Sequence, residues 1–482
     1  MEVLTTLSVD PSRPIAPALP FEILLIIFKL VYAENRINLS TQRDFEYTLD
    51  DVKNLDWYTN NWDPRADIRA PSLFPYALSS VNCQWRDVLS TLPKYWTRVV
   101  IVYDSADFSL SFVRAHLEWS GNFSINITVT RRHSTSFIGK PALEQARLKE
   151  VMDVIRTHVF RCQTLTFDVA YPSSLPSLSA DFLHYAPHLV KLSLEASVPT
   201  DVKHQPQIEE RDPTDFPFTG LIALTLSGWT FIDVFKNASW WFHHWLRRGP
   251  KFPSLRIVHY HPPPSGQDHS DPFNFTNAIP LLRDFSRLEF DDIHYDCLAE
   301  PSHSTPSEES ISGQLSMRDL NRNTTKALLA NLDPNDTLHI SRCPLSPQDT
   351  LPASYHLCFD GGDELSPEIL QAILSTWEGD ELELKACLSF NDDVLDILGN
   401  TAPDRSVLNA PELWSLDLTD CFGFSIAALR RMVERRNAHS TADEPMMHLY
   451  GLRVPVMTGE DREWFREHTA VVCWCDGKTF LG

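Results

Sequence analysis

Glycine is scarce in this sequence of 482 residues, with 16 occurrences against 34 for proline. Nucleotide-binding folds need glycine where the backbone approaches phosphate groups, and neither GxxxxGKS/T nor GxGxxG occurs here. The GxSxG and HExxH motifs of common hydrolases are also missing. Because no motif points to catalysis, we expect a protein that is not an enzyme and that uses no cofactor.

Basic residues are outnumbered, since 42 Lys and Arg face 64 Asp and Glu, for a formal net charge of −22. Nucleic-acid binding needs a basic footprint on the protein, and anionic membrane surfaces attract the same charges. We therefore expect neither nucleic acid nor membrane as a partner. A protein partner fits this charge better, although acidity also simply confers solubility.

Long apolar runs are missing as well. The most apolar stretch near the start, 23–31, is interrupted by Lys29 and falls short of the about 20 residues that span a bilayer. No positively charged segment precedes it, so its flanks are not those of a signal peptide. We expect a cytoplasmic and/or nuclear protein.

The nine cysteines are odd in number and scattered, which is typical of reduced thiols that serve as small core residues. Near the C-terminus, HTAVVCWC brings together His468, Cys473 and Cys475, which are zinc-ligand types. A closed zinc site needs four ligands at workable spacing, and no paired CxxC occurs. We therefore predict no metal here, but a C-terminal strand with buried thiols.

The stretch LPFEILLIIF near the N-terminus has the spacing of a helix. Pro20 suits a first helical turn, where its missing N–H costs nothing. Four apolar residues recur at helical spacing on one face, and three more broaden that face: Leu24, Ile27, Phe28 and Val31, then Ile23, Ile26 and Leu30. A helix apolar over so much of its circumference is buried on more than one side, which suggests a partner chain.

A second helical pattern follows after a long interval. Residues 1–18 are interpreted as a flexible arm, and 34–75, rich in Asn, Asp and Pro, as a long loop. The apolar residues that follow predict one helical face: Leu78, Val81, Trp85, Val88 and Leu89. Pro93 ends this predicted helix, and an extended segment comes after it.

The remainder of the chain repeats an LxxLxL pattern, whose first five copies start 27 to 34 residues apart and whose later spacings lengthen across a loop. Copies occur at 162–167, 189–194, 221–226, 255–260, 285–290, 337–343, 381–387 and 413–421. Each copy predicts a short strand followed by a helix, as in 425–436, and such units must stack to bury their apolar sides. The pattern favours an α/β array of parallel strands, with an unrelated α/β domain as the alternative. The Pro-, Ser- and Glu-rich loop at 299–312 is predicted to be disordered.

Alternate residues of these strands should face outward and form a surface for protein recognition. The same alternation places Ile257 outward. The candidate target-binding residues are Lys191, Ser193, Glu195, Thr225, His259, His261, Arg287, Glu289 and Asp417.

The N-terminal patterns together resemble the F-box of fungal F-box-like proteins, which reads L-P-x-E-I-L-x-x-I-F, then V-x-x-x-W-R-D, then P-x-x-W. The matching residues are Leu19, Pro20, Glu22, Ile23, Leu24, Ile27 and Phe28, then Val81, Trp85, Arg86, Asp87, Pro93 and Trp96. The interval between the two parts is longer than in a compact F-box. The repeats are similar to the irregular leucine-rich repeats that commonly follow an F-box.

The resemblance implies an F-box-like helical domain at 19–104 and a leucine-rich-repeat solenoid at 105–482, with strands on the concave face and helices on the convex face. It implies a substrate-recognition subunit of a Skp–cullin–F-box ubiquitin ligase. The residues implied to dock the Skp adaptor, and through it a cullin, are Leu19, Pro20, Ile23, Leu24, Ile27, Phe28, Val81 and Trp85. The alternative is a non-catalytic repeat scaffold whose N-terminal helices merely cap the solenoid.

Overall fold

A computed structural model describes residues 19–41, 74–105, 108–132, 136–178, 181–182, 186–198, 218–249, 252–262, 275–295, 313–332, 334, 336–352, 354–361, 365–401, 408–439 and 447–475. The chain forms two compact units, 1–132 and 133–482. The predicted arm at 1–18, the part of the insertion at 42–73 and the loop at 299–312 lie outside the described residues. In the described residues no helix is long and apolar enough to cross a membrane.

The first unit combines helices with two parallel strands. Its elements are α1 (Phe21–Thr41), α2 (Tyr76–Ser79), α3 (Cys83–Ser90), β1 (Arg98–Val102), α4 (Leu110–Trp119) and β2 (Ile125–Thr130). Strand β1 pairs with β2 in parallel, with Val99 opposite Ile127. The helix predicted from Leu24 and the strand predicted after Trp96 are therefore both present.

The second predicted helix of this unit is broken in two. Asn82 lies between α2 and α3 with an extended backbone, and its side chain accepts a hydrogen bond from the N–H of Trp85 at 2.8 Å. Such a cap starts a new helix and satisfies one of its free N–H groups. Val81 consequently sits in the break, where 57% of it is exposed, and does not share a buried face with Val88 and Leu89.

The second unit is an α/β array of twelve parallel strands whose spatial order follows the sequence. The strands are β3 (Cys162–Val169), β4 (Lys191–Ala196), β5 (Ala223–Ser227), β6 (Ser254–Tyr260), β7 (Arg287–Ile293), β8 (Gln314–Arg318), β9 (Thr337–Ser341), β10 (His356–Asp360), β11 (Glu381–Lys385), β12 (Ser415–Thr419), β13 (His448–Leu452) and β14 (Val471–Cys475). The α-helices described in this unit are α5 (Pro141–Ile155), α6 (Gly228–Arg248), α7 (Ile279–Leu282), α8 (Arg322–Asn331), α9 (Pro367–Thr376), α10 (Asp392–Leu398), α11 (Ile426–His439) and α12 (Gly459–His468).

All eight repeat segments predicted from the sequence overlap one of these strands, and 425–436 lies almost entirely in helix α11. The predicted C-terminal strand is present as β14. Its thiols are not buried, however, because Cys473 is exposed and Cys475 is half-buried at the end of the array. Strands β8, β10 and β13 were not predicted.

The strand register aligns identical residues into a row. One inward position of β3 to β14 is leucine in eleven strands, each at most 1% exposed: Leu165, Leu192, Leu224, Leu255, Leu288, Leu315, Leu338, Leu357, Leu382, Leu416 and Leu449, followed by Val472. Burying one leucine side chain contributes about 1.5–3 kcal/mol, so this row is a principal source of stability.

Several helices of the array begin at a side-chain cap. The hydroxyl of Ser366 accepts from the N–H of Ile369, and the amide oxygen of Asn391 accepts from the N–H of Val394. Helix α12 has a full capping box between Thr458 and Asp461. Helices α9, α10, α11 and α12 contact one another in sequence order, so the helical layer stacks as the strands do.

A left-handed backbone conformation recurs at the carboxyl end of each strand from β6 to β13. The residues with positive φ at this position are His259, Asp292, Asp319, Arg342, Gly361, Ala386, Asp420 and Arg453. Only one of the eight is glycine, although non-glycine residues adopt this conformation uncommonly. The register places all eight at the same position, one residue beyond the row that includes Val258 and Asp291, so the conformation belongs to the carboxyl ends of the strands.

Candidate functional site

Helix α1 has two faces of opposite character. Leu24 and Phe28 are fully buried, whereas Ile26 is 54% exposed and Leu30 is 66% exposed. We call the exposed residues Leu19, Ile23, Ile26 and Leu30 the apolar stripe. Ile23, Ile26 and Leu30 are spaced by three and four residues and lie on one side of α1, opposite Leu24 and Phe28, while Leu19 comes two residues before the helix begins.

The buried face is held by aromatic residues that come from much later in the chain. Leu24 and Phe28 share a core with Phe74, Val88, Leu89, Tyr95 and Trp96. The ring of Phe28 meets that of Trp85 edge-on at 5.3 Å, and the indole N–H of Trp96 donates to the carbonyl of Leu89 at 2.8 Å. This core fixes the rotation of α1 about its own axis and thereby leaves the apolar stripe outward.

Helix α3 also contacts the start of α1 through a polar side chain. The amide of Gln84 donates to the carbonyl of Leu19 at 3.1 Å. This bond holds the first residue of the apolar stripe against the second helix of the F-box-like pattern.

The structure divides the eight candidate adaptor-binding residues. Leu19, Pro20, Ile23 and Val81 are exposed, and Ile27 and Trp85 are half-buried. Leu24 and Phe28 are inaccessible to a partner unless the unit's own core opens. They hold the helix in place, while Ile26 and Leu30, which the sequence had assigned to the same broad face, are available for contact.

In the second unit the outward face of the sheet is polar. Its central row reads Thr166, Ser193, Thr225, Arg256, Glu289, Ser316, His339, Cys358, Glu383, Asp417, Tyr450 and Cys473. We call this row and the outward residues beside it the polar face.

Seven of the nine candidate target-binding residues occupy outward positions of the strands themselves, whereas His259 and His261 lie at the end of β6. Lys191 and Arg287 are exposed, Glu289 and Asp417 are half-buried, and Ser193, Glu195 and Thr225 are largely covered. Ser193 donates to Glu195 at 2.6 Å, so this pair is already engaged within the sheet.

The prediction that Ile257 faces outward is wrong. Ile257 is fully buried in the second inward row, and Arg256 takes the outward position. The prediction aligned Leu255 with the first leucine of LxxLxL, whereas the register places Leu255 in the row of Leu192, the second leucine, so inward and outward positions were exchanged.

Arg256 is the centre of one charged cluster on the polar face. Its guanidinium lies 2.7 Å from Asp291 and 3.6 Å from Glu289. Arg287 bonds Glu289 as well, at 2.7 Å. Acidic and basic groups are thus paired on this part of the face, which leaves it close to neutral locally.

A second cluster surrounds Glu383. Burial acts to raise the pKa of this carboxyl, but hydrogen bonds from His356 and Lys385 outweigh it and bring the pKa to about 2. The pKa of the neighbouring carboxyl of Asp417 is instead raised to about 6, first by burial and then by repulsion from Glu383. Two adjacent carboxylates therefore differ in charge state near pH 5.

One buried basic residue was not predicted at all. Arg436 of α11 is 7% exposed and donates to the carbonyls of Leu398, Ala410 and Leu413 at 2.9 Å each. Burial lowers the pKa of its guanidinium to about 10. Its role is structural, because it supplies donors to a turn whose carbonyls would otherwise be buried without partners.

The C-terminal histidine and cysteines do not form a site together. The ring of His468 stacks on Trp464 at 4.0 Å, and its Nδ1 lies 2.8 Å from the carbonyl oxygen of that residue. Cys473 continues the polar face, one rung beyond Tyr450.

No protein-family model matches the chain, and no curated protein is similar to it. The class that the geometry defines is an α/β protein with sequentially ordered parallel strands and an accompanying helical unit with an exposed apolar stripe.

Proposed function

We propose that this chain is a substrate-recognition subunit of a Skp–cullin–F-box ubiquitin ligase. In this proposal the helical unit is an F-box that docks the Skp adaptor and, through it, a cullin, while the array is a leucine-rich-repeat solenoid that binds a target protein. The chain acts by recruitment and not by chemistry, since proximity to the conjugating enzyme provides the rate gain.

The observation that carries the proposal is the apolar stripe. It consists of three large aliphatic side chains on one side of α1 and of Leu19 just before the helix, each at least 42% exposed, while Leu24 and Phe28 on the opposite side are fully buried. Burying a leucine or isoleucine side chain contributes about 1.5–3 kcal/mol when it is fully exposed beforehand. A partner that covers the stripe would gain several kcal/mol, as apolar anchors at a protein interface do.

The motif residues support the same assignment. The resemblance to an F-box places an adaptor contact on the segment 19–28, and the stripe begins there at Leu19 and Ile23. The stripe continues beyond the motif to Leu30, so the proposed docking surface is longer than the matched pattern.

The polar face suits the role of the target-binding surface. Its mixture of paired charges, histidines and half-buried carboxylates offers directional contacts, which provide specificity more than affinity. The proposed contact residues that remain accessible are Lys191, His259, His261, Arg287, Glu289 and Asp417.

Capture of the full chain on immobilised Skp adaptor tests the proposal. We compare the wild type with Ile26→Asp and Leu30→Asp, which place a carboxylate on the stripe without entering the core. The matched control is Leu388→Asp in the second unit, whose side chain is similarly exposed at 61%. We expect each stripe variant to bind at least about tenfold more weakly, about 1.4 kcal/mol, and the control to bind as the wild type does.

Leu24→Asp is unsuitable for this test, because a charge at a fully buried position disrupts the unit itself. Equal capture of the wild type and both stripe variants, with unchanged circular dichroism, would overturn the ligase proposal. That result would favour the repeat scaffold instead.

A further inference from the structure

Strands β6 and β7 end side by side and bring two histidines together. Tyr260 is opposite Ile293 in the register, and the N–H of His294 donates to the carbonyl of Tyr260 at 2.7 Å. His261 and His294 are therefore the next pair along the two strands. Their imidazole rings stack with centroids 4.2 Å apart and planes 21° apart.

Both imidazoles point a nitrogen at the same carboxylate oxygen. The Nε2 atom of His261 lies 2.8 Å from Oδ1 of Asp292, and the Nε2 atom of His294 lies 3.7 Å from it. Among the described residues, these three side chains are the one group whose ligand atoms all lie within 4.8 Å of one another.

These separations suit a common metal ion. Zinc–nitrogen and zinc–oxygen bonds of about 2.0–2.2 Å in a tetrahedron put neighbouring ligand atoms about 3.4 Å apart. The distances of the two histidine nitrogens from Oδ1 of Asp292, 2.8 and 3.7 Å, lie on either side of that value. Two imidazoles with one carboxylate select a transition metal, because Mg²⁺ and Ca²⁺ prefer oxygen ligands.

A further histidine holds the carboxylate in place. Nδ1 of His259 lies 3.0 Å from Oδ2 of Asp292, the oxygen that the other two histidines do not use. His259 and Asp292 are both left-handed in backbone conformation, with φ of 53° and 55°. Partners of this kind orient metal ligands from outside the coordination sphere.

We propose that His261, Asp292 and His294 bind a divalent transition-metal ion such as Zn²⁺. The three side chains remain 33–40% exposed, so the fourth coordination position is open to water or to a side chain of a bound protein. The site joins the ends of two neighbouring strands at the edge of the polar face. It is independent of the adaptor-docking proposal, because it involves no residue of the first unit.

Calorimetric titration of the chelator-treated full chain with Zn²⁺, repeated with Co²⁺ under visible absorption, tests the site. We compare the wild type with His294→Ala and with Asp292→Asn, which keeps a residue type that tolerates positive φ. The matched control is His356→Ala, since His356 lies 3.6 Å from Glu383 on the same face but belongs to no three-ligand group among the described residues.

We expect the wild type and the control to bind one more equivalent of Zn²⁺ than the two site variants. His259→Asn should retain the site but bind about 10–100-fold more weakly, as for other outer partners of a ligand. The Co²⁺ form of the site should lack thiolate charge-transfer absorption. Equal stoichiometry and affinity in wild type and His294→Ala would overturn the site, as would a wild-type Co²⁺ spectrum that is only of thiolate type.

Discussion

The two units of this protein bury their cores in different ways. The array in 133–482 repeats one solution, in which a leucine at the same position of eleven strands is covered by its neighbours. The unit in 1–132 has a single mixed core, in which Leu24 and Phe28 pack against aromatic residues that start at Phe74. Repetition makes the array readable from local sequence, whereas the first unit depends on contacts between distant segments.

The units also differ in what they leave exposed. The outward row of the array is largely polar from Thr166 to Asp417, although Ser193, Thr225 and Cys358 within it are buried, so the face is polar but only partly exposed. Helix α1 instead leaves the apolar stripe exposed after its own core is complete. This contrast is why we assign adaptor docking to the first unit and target recognition to the second.

Phe28→Ala should cause the largest loss of stability and would show how far the first unit depends on one side chain. Removing a fully buried phenylalanine costs about 3–5 kcal/mol. Urea unfolding followed by tryptophan fluorescence measures the loss, since Trp85, whose ring contacts Phe28, is one of the 13 tryptophans that contribute. Ile26→Ala is the control on the opposite face, with an expected change within about 0.5 kcal/mol. Similar losses in both variants would contradict the assignment of the two faces.

Leu315→Ala tests whether the array depends equally on each rung. We expect a loss of about 2–5 kcal/mol, because Leu315 is 1% exposed in the inward row of β8. Gln314→Ala, one residue earlier on the same strand, changes an exposed side chain and should have little effect. Urea unfolding followed by circular dichroism compares the two. A loss below about 1 kcal/mol for Leu315→Ala would mean that the rows are not the main source of stability.

Asp417→Asn should give the smallest effect and the one that depends on pH. The pKa of Asp417 is raised from 3.8 to about 6. Between these two pH values the carboxyl is protonated in the folded state and ionised in the unfolded state. Stability attributable to this group is therefore full below about pH 4 and falls as the pH rises through 6. We expect the asparagine variant to be about 1 kcal/mol more stable at pH 7.5, after allowance for solvent screening, and unchanged at about pH 4.

Urea midpoints of the wild type and Asp417→Asn at the two pH values measure this difference. Glu383→Gln is the contrasting variant, since the pKa of Glu383 is lowered to about 2 and its carboxylate stabilises the fold above pH 4.5. A stability gain in Asp417→Asn that is the same at both pH values would show that the carboxyl does not titrate in this window.

The strands of the array were predictable where the full LxxLxL pattern is present, as in LVKLSL, which overlaps β4. Strands β8 and β10 have large apolar residues at both inward positions but were missed, because SGQLSM and SYHLCF have a serine in place of the first leucine. Strand β13 was missed because its second inward residue is Gly451, where a Cβ atom would lie 2.5 Å from the ring of Trp474. The neighbouring tryptophan fills that space, so the apolar residue is supplied by the next strand. Because the large side chain comes from β14, the sequence of β13 alone does not show two large apolar inward residues.

The metal-site residues were only partly predictable. His259 and His261 were assigned to the outward surface by the alternation along the LRIVHY segment, but Asp292 and His294 were not connected with them. Their convergence depends on the register that places Tyr260 opposite Ile293. A sequence pattern indicates that each strand exists, while the pairing offset between two strands 33 residues apart is a tertiary quantity.

The sequence by itself determined the helix at LPFEILLIIF, the eight repeat strands together with β1 and β14, and the polar character of the outward face, because hydrophobic periodicity is a local property. Only the tertiary structure decided which side of α1 is buried. Phe74 and Trp96 select Leu24 and Phe28 for the core, and the same choice turns Ile26 and Leu30 outward. A helix that is apolar on all sides carries no local signal for that choice, since the aromatic residues that make it come from a distant segment of the chain.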